Sequence, residues 1–304
     1  MSYAVVFPGQ GSQYEGMADP WIGHPAGRSA LDEASEAMGR DVVAGCHDDA
    51  ALATTGFVQP AILACDVSAF RVLLAEGLTG VVGVAGHSLG EFAALVAAGA
   101  LTLADALRIV VVRGGAMQRA SEARPGTMSA LLGVGADDGH ALCDEARGDG
   151  VLVIANENSP VQVVASGDVA AIERLEALAK ERKVRAIRLQ VAGAFHSALM
   201  EPAVEELSSA LDEATFSTPA FPVAHNLTGE LVADPDELRA LAKRHVVSPV
   251  RWEACVRTLA GAGTSTFVEA GPGDILTKLA KRIVPEAAAV AVGSAEGAAA
   301  ALGA

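Results

Sequence analysis

A layered α/β fold with a mostly parallel sheet, interrupted by a small inserted unit, is the architecture that this 304-residue sequence predicts. Three observations predict it. The runs YAVVF (3–7) and VVGVAG (81–86) are apolar throughout, as strands buried on both faces are. Helical periodicity alternates with such runs along most of the chain, the pattern of a layered α/β protein. Between residues 127 and 191 the order becomes strand–helix–strand–strand–helix–strand, a ferredoxin-like succession.

The elements follow in order. YAVVF ends at Pro8-Gly9, and helical patterns cover 28–38 and 58–76. VVGVAG leads through GHSLG (86–90) into EFAALVAAGA, which stops near Gly99. Thr102 begins the helix TLADALRIVVVRGGAMQRA, with Asp105 in its first turn where the helix dipole favours an acid; EARPGT (122–127) breaks it. The inserted unit then reads as strand 128–135, helix 138–148, strands 151–155 and 161–166, helix 169–183 and strand 184–190. HSALMEPAVEELSSALDEA reads as one helix and FPVAH (221–225) as a strand. Helices follow near 235–246 and 250–262, then strand TFVEAG (266–271), helix ILTKLAKR and a short strand VAVG (290–293). The low-complexity tail EGAAAALGA is expected to fray. The expected division is 1–126 with 192–304 in a large unit and 127–191 in a small one.

Composition narrows the function classes. The chain is 51% apolar, enough for a sizeable core, and its formal charge of −15 argues against a nucleic-acid surface. Any acidic partner must therefore meet a local basic patch. Cys46, Cys65, Cys143 and Cys255 form no CxxC pair and are expected to be reduced and buried in a cytoplasmic protein. Cys46-His47 is too small a set to ligate a metal, and none is expected. The start MSYAVVFPGQG has no basic stretch before its apolar run, so no secretory signal is expected. FAALVAAGAL, the longest uninterrupted apolar stretch, is too short to cross a bilayer. No heptad stretch demands a partner copy, and a monomer is expected.

GHSLGE (86–91) poses the chemical question. G-x-S-x-G between a strand and a helix is the context of a nucleophile elbow, in which the serine hydroxyl stands exposed at a helix N-terminus. Ser88 followed by Glu91 is equally the signature of a capping box. A nucleophilic serine needs a base. His87 adjoins it on the turn and is expected to point away, whereas His196 lies at the junction after the inserted unit, a place equally suited to a cap or a packed residue. Arg113 sits between IVVV and GGAM, which read as buried.

FPGQGSQ (7–13), QPA (59–61), GHSLGEFAALVAAGAL (86–101), RGGAMQ (113–118), NENSP-Q-V-ASG (156–167), FHSALM (195–200), SPVRW (248–252) and VEAGPGDILTKL (268–279) stand in one order along the chain. This ordered set resembles the malonyl-CoA:acyl carrier protein transacylase family, to which the acyltransferase domains of polyketide synthases are related. The resemblance implies a large α/β-hydrolase-like domain with a small ferredoxin-like one closing over it. It implies Ser88 as nucleophile and His196 as its base, with Gln10 and the Leu89 N–H as the oxyanion hole. Arg113 is then the ligand of a malonyl carboxylate, a role suited to a planar fork donor. The base is oriented by a backbone carbonyl, here that of His245, where the family usually has Gln. Phe195 and Leu89 go with malonyl over methylmalonyl, although GAFH departs from the family's HAFH. His87 and Asn158 are implied to line the substrate groove.

The implied reaction moves malonyl from malonyl-CoA to Ser88 and then to the phosphopantetheine thiol of an acyl carrier protein, for fatty-acid or polyketide synthesis, without a cofactor. Lys278, Lys281 and Arg282, with Lys243 and Arg244, are candidates for carrier docking. A serine hydrolase or thioesterase of the α/β-hydrolase type, which needs an acid beside the base, a transacylase using another acyl-CoA such as methylmalonyl-CoA, and a non-catalytic carrier-binding module are the competing readings.

Overall fold

The structure, a computed structural model, describes residues 1–302. Ten strands form two sheets. The larger sheet contains β1 (Tyr3–Phe7), β2 (Val81–Gly86), β7 (Val223–Ala224), β8 (Leu231–Val232), β9 (Thr266–Ala270) and β10 (Ala288–Val292). Its order is β10-β9-β1-β2-β7-β8; every neighbouring pair is parallel except β7–β8 at one edge. The smaller sheet contains β3 (Gly126–Leu132), β4 (Leu152–Ser159), β5 (Gln162–Asp168) and β6 (Arg185–Arg188), in the order β4-β5-β3-β6 and antiparallel throughout.

Side-chain alternation explains why β1 is apolar at every position. Tyr3, Val5 and Phe7 enter the core beneath the helices Pro25–Met38, Thr55–Ala75, Gly90–Ala97 and Leu103–Ala123. Ala4 and Val6 enter a second core with the helices Trp252–Gly261 and Ile275–Ile283. The smaller sheet also has two faces. Leu131 and Val163 pack with the helices Ala136–Ala146 and Val169–Glu181, while Met128, Ala130 and Val164 join the main core.

Several local expectations change. Thr55–Ala75 is long and apolar enough by composition to cross a bilayer, and longer than the FAALVAAGAL run, but it is buried inside the protein between two other helices. The expected helix from His196 is instead a 3₁₀ turn, Ala198–Ala203, before an α-helix, Val204–Glu213. Pro202 lacks the N–H that an α-helix would use there. FPVAH pairs over only two residues, after which the chain turns toward the end of β2. The tail forms a helix, Ala295–Ala301, because Ser294 Oγ caps the N–H of Gly297 and Ala298 is buried; Gly303 and Ala304 lie outside the described residues.

The ends of β1 and β2 converge on the start of helix Gly90–Ala97. The chain passes from β1 to β2 on one side, whereas β9 on the other side passes on to β10, so the strand order reverses beside β1, and the crevice at the strands' carboxyl ends is where such sheets place ligands. A Cβ on Gly90 would lie 2.2 Å from the Phe7 carbonyl oxygen and 2.6 Å from that of Pro8. Both neighbours are backbone and cannot move aside. Gly90→Ala should therefore lower the unfolding free energy by about 3 kcal/mol, seen as a lower urea midpoint at unchanged slope. Gly56→Ala, on a helix with open space at the Cβ position, should leave the midpoint unchanged or raise it.

Candidate active site

Ser88 and His196 lie 108 residues apart in sequence and meet at one point. Among the described residues only three non-glycine residues have positive φ: Ser88 (51°), His196 (57°) and Lys183 (60°). Left-handed backbone costs a β-carbon-bearing residue about 1–3 kcal/mol and persists where the surroundings impose it. Two of the three strained residues here hydrogen-bond to each other.

The Ser88 hydroxyl donates to His196 Nε2 at 2.7 Å. His196 Nδ1 lies 3.0 Å from the His245 carbonyl oxygen and 2.9 Å from that of Ser248. Two carbonyls can only accept, so Nδ1 carries the proton and Nε2 is free to receive one. Burial, then the Arg113 charge, pushes His196 down to about 3, which keeps it neutral.

Ser88 does not form the capping box. Helix Gly90–Ala97 has no side-chain cap, and the N–H of Ser88 donates at 2.8 Å to Asn226 Oδ1, not to Glu91. Glu91 is buried beneath the turn, where its Oε2 accepts from the N–H of Asn226 at 2.7 Å. Its Oε1 lies 3.0 Å from His225 Nε2, off the line of a hydrogen bond.

Arg113 is 1% exposed and has no carboxylate partner among the described residues. Nη1 donates to Gln59 Oε1 at 2.6 Å and Nη2 to Ser88 Oγ at 3.2 Å, while Nε has no partner among the described residues. Burial pulls Arg113 to about 10, so it remains a cation at neutral pH. The guanidinium fixes the orientation of two amides in turn. Gln59 must present its oxygen to Arg113, so its Nε2 donates to Gln10 Oε1 at 3.2 Å. Gln10 then has its own NH₂ left to donate. The N–H of Leu89 likewise meets no acceptor among the described residues.

A cleft of about 510 Å³, counting the open solvent at its mouth, opens over this cluster. Gln10, Ser88, Leu89, Phe195 and His196 line it, with Met128 and Leu189 from the smaller sheet's side. Arg113 lies behind Gln59 and Ser88 and does not line it. A second groove of about 680 Å³ continues past Gln10, His87 and Asn156 to Ile275 and Leu279. His87 turns away from the serine: its Nε2 donates to Asn158 Oδ1 at 2.8 Å and its ring lies 5.5 Å from that of Trp252.

The cationic candidates separate. Lys243 pairs with Asp212, Arg244 with Glu201 and Lys278 with Asp274, whereas Arg282 donates to Gln162 Oε1 across the two sheets' layers. Lys278, Lys281 and Arg282 share the helix that lines the groove; Lys243 and Arg244 lie on Pro235–Arg244, away from it. His47 pairs with Asp19, and among the described residues no three His, Cys, Asp or Glu side chains cluster as a ligand set. All four cysteines are free and buried.

Gln59, Asn156, Asn226 and the Ser248 carbonyl carry site geometry that sequence reasoning did not assign. Gln59 and Asn156 stand inside quoted motifs, QPA and NENSP, and Ser248 opens SPVRW. Asn226 has no such signal; in sequence it reads only as the first residue of an Asn-Leu-Thr triplet.

Comparison with known proteins places this geometry. Residues 4–299 match the acyl transferase domain model. The malonyl CoA-acyl carrier protein transacylase of Escherichia coli K12 is 39% identical, over 99% of this chain and 98% of its own. The crystal structure of an acyl-carrier-protein S-malonyltransferase from Burkholderia pseudomallei superposes with a TM-score of 0.95 at 38% identity, covering 100% of both chains. A malonyl-transacylase in complex with a type II PKS acyl-carrier protein superposes with a TM-score of 0.95 at 35% identity, covering 100% of this chain and 99% of its own. The chain belongs to the acyl transferase family, among the malonyl-CoA:acyl carrier protein transacylases.

Proposed function

We propose that this chain transfers a malonyl group from malonyl-CoA to the phosphopantetheine thiol of an acyl carrier protein through an ester on Ser88. The observation that carries this reading is the shared oxygen: Ser88 Oγ faces His196 Nε2 at 2.7 Å and Arg113 Nη2 at 3.2 Å. Ser88 Oγ attacks the thioester carbon while its proton passes to His196 Nε2. The carbonyl oxygen becomes an oxyanion between the Leu89 N–H and the Gln10 NH₂; losing one such donor typically costs about 10²–10³ in rate. Collapse breaks the C–S bond, and His196 returns the proton to the departing thiolate. The carrier thiol then attacks the ester by the same steps in reverse order.

The malonyl carboxylate takes the Nε–Nη2 edge of Arg113, of which Ser88 occupies one half and nothing the other. Phe195 and Leu89 narrow the cavity beside the acyl α-carbon, which favours malonyl over methylmalonyl. The second groove takes the pantetheine arm, and the helix Ile275–Ile283 along it offers Lys278, Lys281 and Arg282 to an acidic carrier. The larger sheet with its helices, residues 1–126 and 192–304, is the α/β-hydrolase-like domain of this scheme, and 127–191 the ferredoxin-like one. The setting is cytoplasmic, in keeping with buried free thiols. The hydrolase reading is disfavoured because carbonyls, not a carboxylate, orient His196.

Intact-protein mass after brief mixing with malonyl-CoA should show one malonyl adduct that disappears in Ser88→Ala. In Arg113→Ala its formation should slow by ~10²–10³, or about 3–4 kcal/mol, while labelling by acetyl-CoA should not slow in parallel. Equal loss with both donors would remove Arg113 from carboxylate recognition. No adduct from malonyl-CoA in the wild type would sink the function itself.

The pH dependence has a defined sign. The folded His196 is depressed to about 3, below the ordinary value of about 6.5 for an unfolded histidine. The unfolded chain therefore binds more protons between those values. The neutral-histidine contribution to stability is complete above pH ~6.5 and is lost as pH falls toward 3. For the same reason kcat/KM for acyl-enzyme formation, which reports the free enzyme, should stay level from pH 8 down to about 5. A midpoint near 6.5 would contradict the assignment of a buried neutral base beside Arg113.

A further inference from the structure

We infer that Asn226 is a positioning residue that couples the nucleophile's turn to the histidine that orients the base; this rests on Ser88 being the nucleophile. Asn226 is fully buried and lines neither cavity, so it cannot touch substrate. Its side-chain amide nevertheless meets three functional points at once. Oδ1 accepts the Ser88 N–H at 2.8 Å, Nδ2 donates to the Gly86 carbonyl at 2.8 Å, and Oδ1 lies 3.2 Å from His245 Nε2. The Ser88 N–H can only donate and the Gly86 oxygen can only accept, so the amide has one permitted orientation.

Two consequences follow. The amide bridges the start of the G-H-S turn to the strained serine, holding a backbone with φ 51° that the residue would otherwise leave. The same oxygen requires His245 to carry its proton on Nε2, which leaves Nδ1 bare; Nδ1 indeed has no partner among the described residues. A neutral His245 with fixed ring orientation is the residue whose carbonyl receives His196 Nδ1–H at 3.0 Å. Asn226 is itself held by Glu91 Oε2 on its own N–H, so the buried acid of the elbow helix supports nucleophile and base through one side chain.

The charged and titratable groups around this cluster come from every neighbouring element. They are Glu91 on helix Gly90–Ala97, Arg113 on helix Leu103–Ala123, His87 on the turn, His196, His225, His245 itself and Cys255 on helix Trp252–Gly261.

The test combines two variants and one measurement on the wild-type protein. Asn226→Ala should lower kcat for malonyl transfer by ~10²-fold while KM for malonyl-CoA stays within about threefold, because only the placement of reacting groups changes. Asn226→Asp keeps an oxygen that accepts from Ser88 and His245 and, protonated in this buried place beside Glu91, gains a hydroxyl that donates to the Gly86 carbonyl. It should recover kcat to within about tenfold of wild type while the new acid is protonated and lose it as the acid ionises against the Gly86 oxygen, a pH-dependent rescue that simple loosening of the fold would not produce. Nitrogen chemical shifts of the wild-type histidines should show His245 as the Nε2–H tautomer. If Asn226→Ala fails to fold, the Asp variant and the tautomer decide. Wild-type kcat in a folded Asn226→Ala, no rescue at any pH in Asn226→Asp, or a proton on His245 Nδ1 would each overturn the inference. A wild-type protein that forms no acyl-enzyme would instead overturn the reading of Ser88, so the two failures are distinct.

Discussion

The structure depends on how closely three backbone segments approach one another. A Cβ at Gly86 would fall 1.9 Å from the Gly90 carbonyl carbon, and one at Gly90 would fall 2.2 Å from the Phe7 oxygen. With no side chain at either position, the end of β2 can fold back against its own helix, and the helix start can lie on the end of β1. The turn between them has room for Ser88 only in a left-handed conformation. That conformation faces its hydroxyl with His196 and its N–H with Asn226, so the sheet, the elbow and the base are fixed by one crowded point. The loop that follows β1 carries Gln10 to the same place, which is why residues as far apart in sequence as Gln10 and His196 line one cavity.

Around this point the interior is electrostatically unusual. Arg113 is buried with only amide and hydroxyl oxygens beside it. Taking a charge out of water without a paired opposite charge is costly, and natural proteins retain such arrangements where the charge has a use. Here the cation organises a chain of amides, from Gln59 to Gln10, and adds to the burial that keeps the neighbouring histidine neutral. The nearby acid, Glu91, accepts from the N–H of Asn226 instead.

What was legible in the sequence follows from range. The strand–turn–helix around Ser88, the Thr102 cap, whose Oγ1 accepts the Asp105 N–H at 3.0 Å, and the alternating order of 127–191 are local patterns, and the structure displays them. Arg113 could be singled out because apolar residues flank it on both sides of its helix. The capping box misled because Ser88 and Glu91 satisfy its spacing while longer-range partners compete for the same groups: Asn226, 138 residues away, takes the Ser88 N–H. Asn226 itself left no trace, since a residue that acts through one buried amide has no periodicity or spacing to betray it. The Ser248 carbonyl was invisible for a simpler reason: any residue type supplies one. The tail misread composition for disorder, where a capping serine and one buried alanine suffice for a helix.

The absence of a carboxylate behind His196 then acquires a physical reading. In a hydrolytic triad an acid stabilises the imidazolium that forms when serine gives up its proton. Here two neutral carbonyls do less, and Arg113 opposes the same charge. In the mechanism proposed above, the base of the free protein therefore accepts a proton poorly, which leaves Ser88 a weak nucleophile toward adventitious acyl groups. The malonyl donor proposed above brings its own carboxylate against Arg113. Neutralising that cation removes the charge that most opposes an imidazolium at His196, and the base gains strength only when the acidic acyl group is in place. Specificity and activation then come from one interaction: a donor without a carboxylate would lack both its anchor and the offset that lets the histidine take the serine's proton. After transfer to Ser88 the carboxylate remains beside Arg113, so the base keeps that strength for the thiol that enters next.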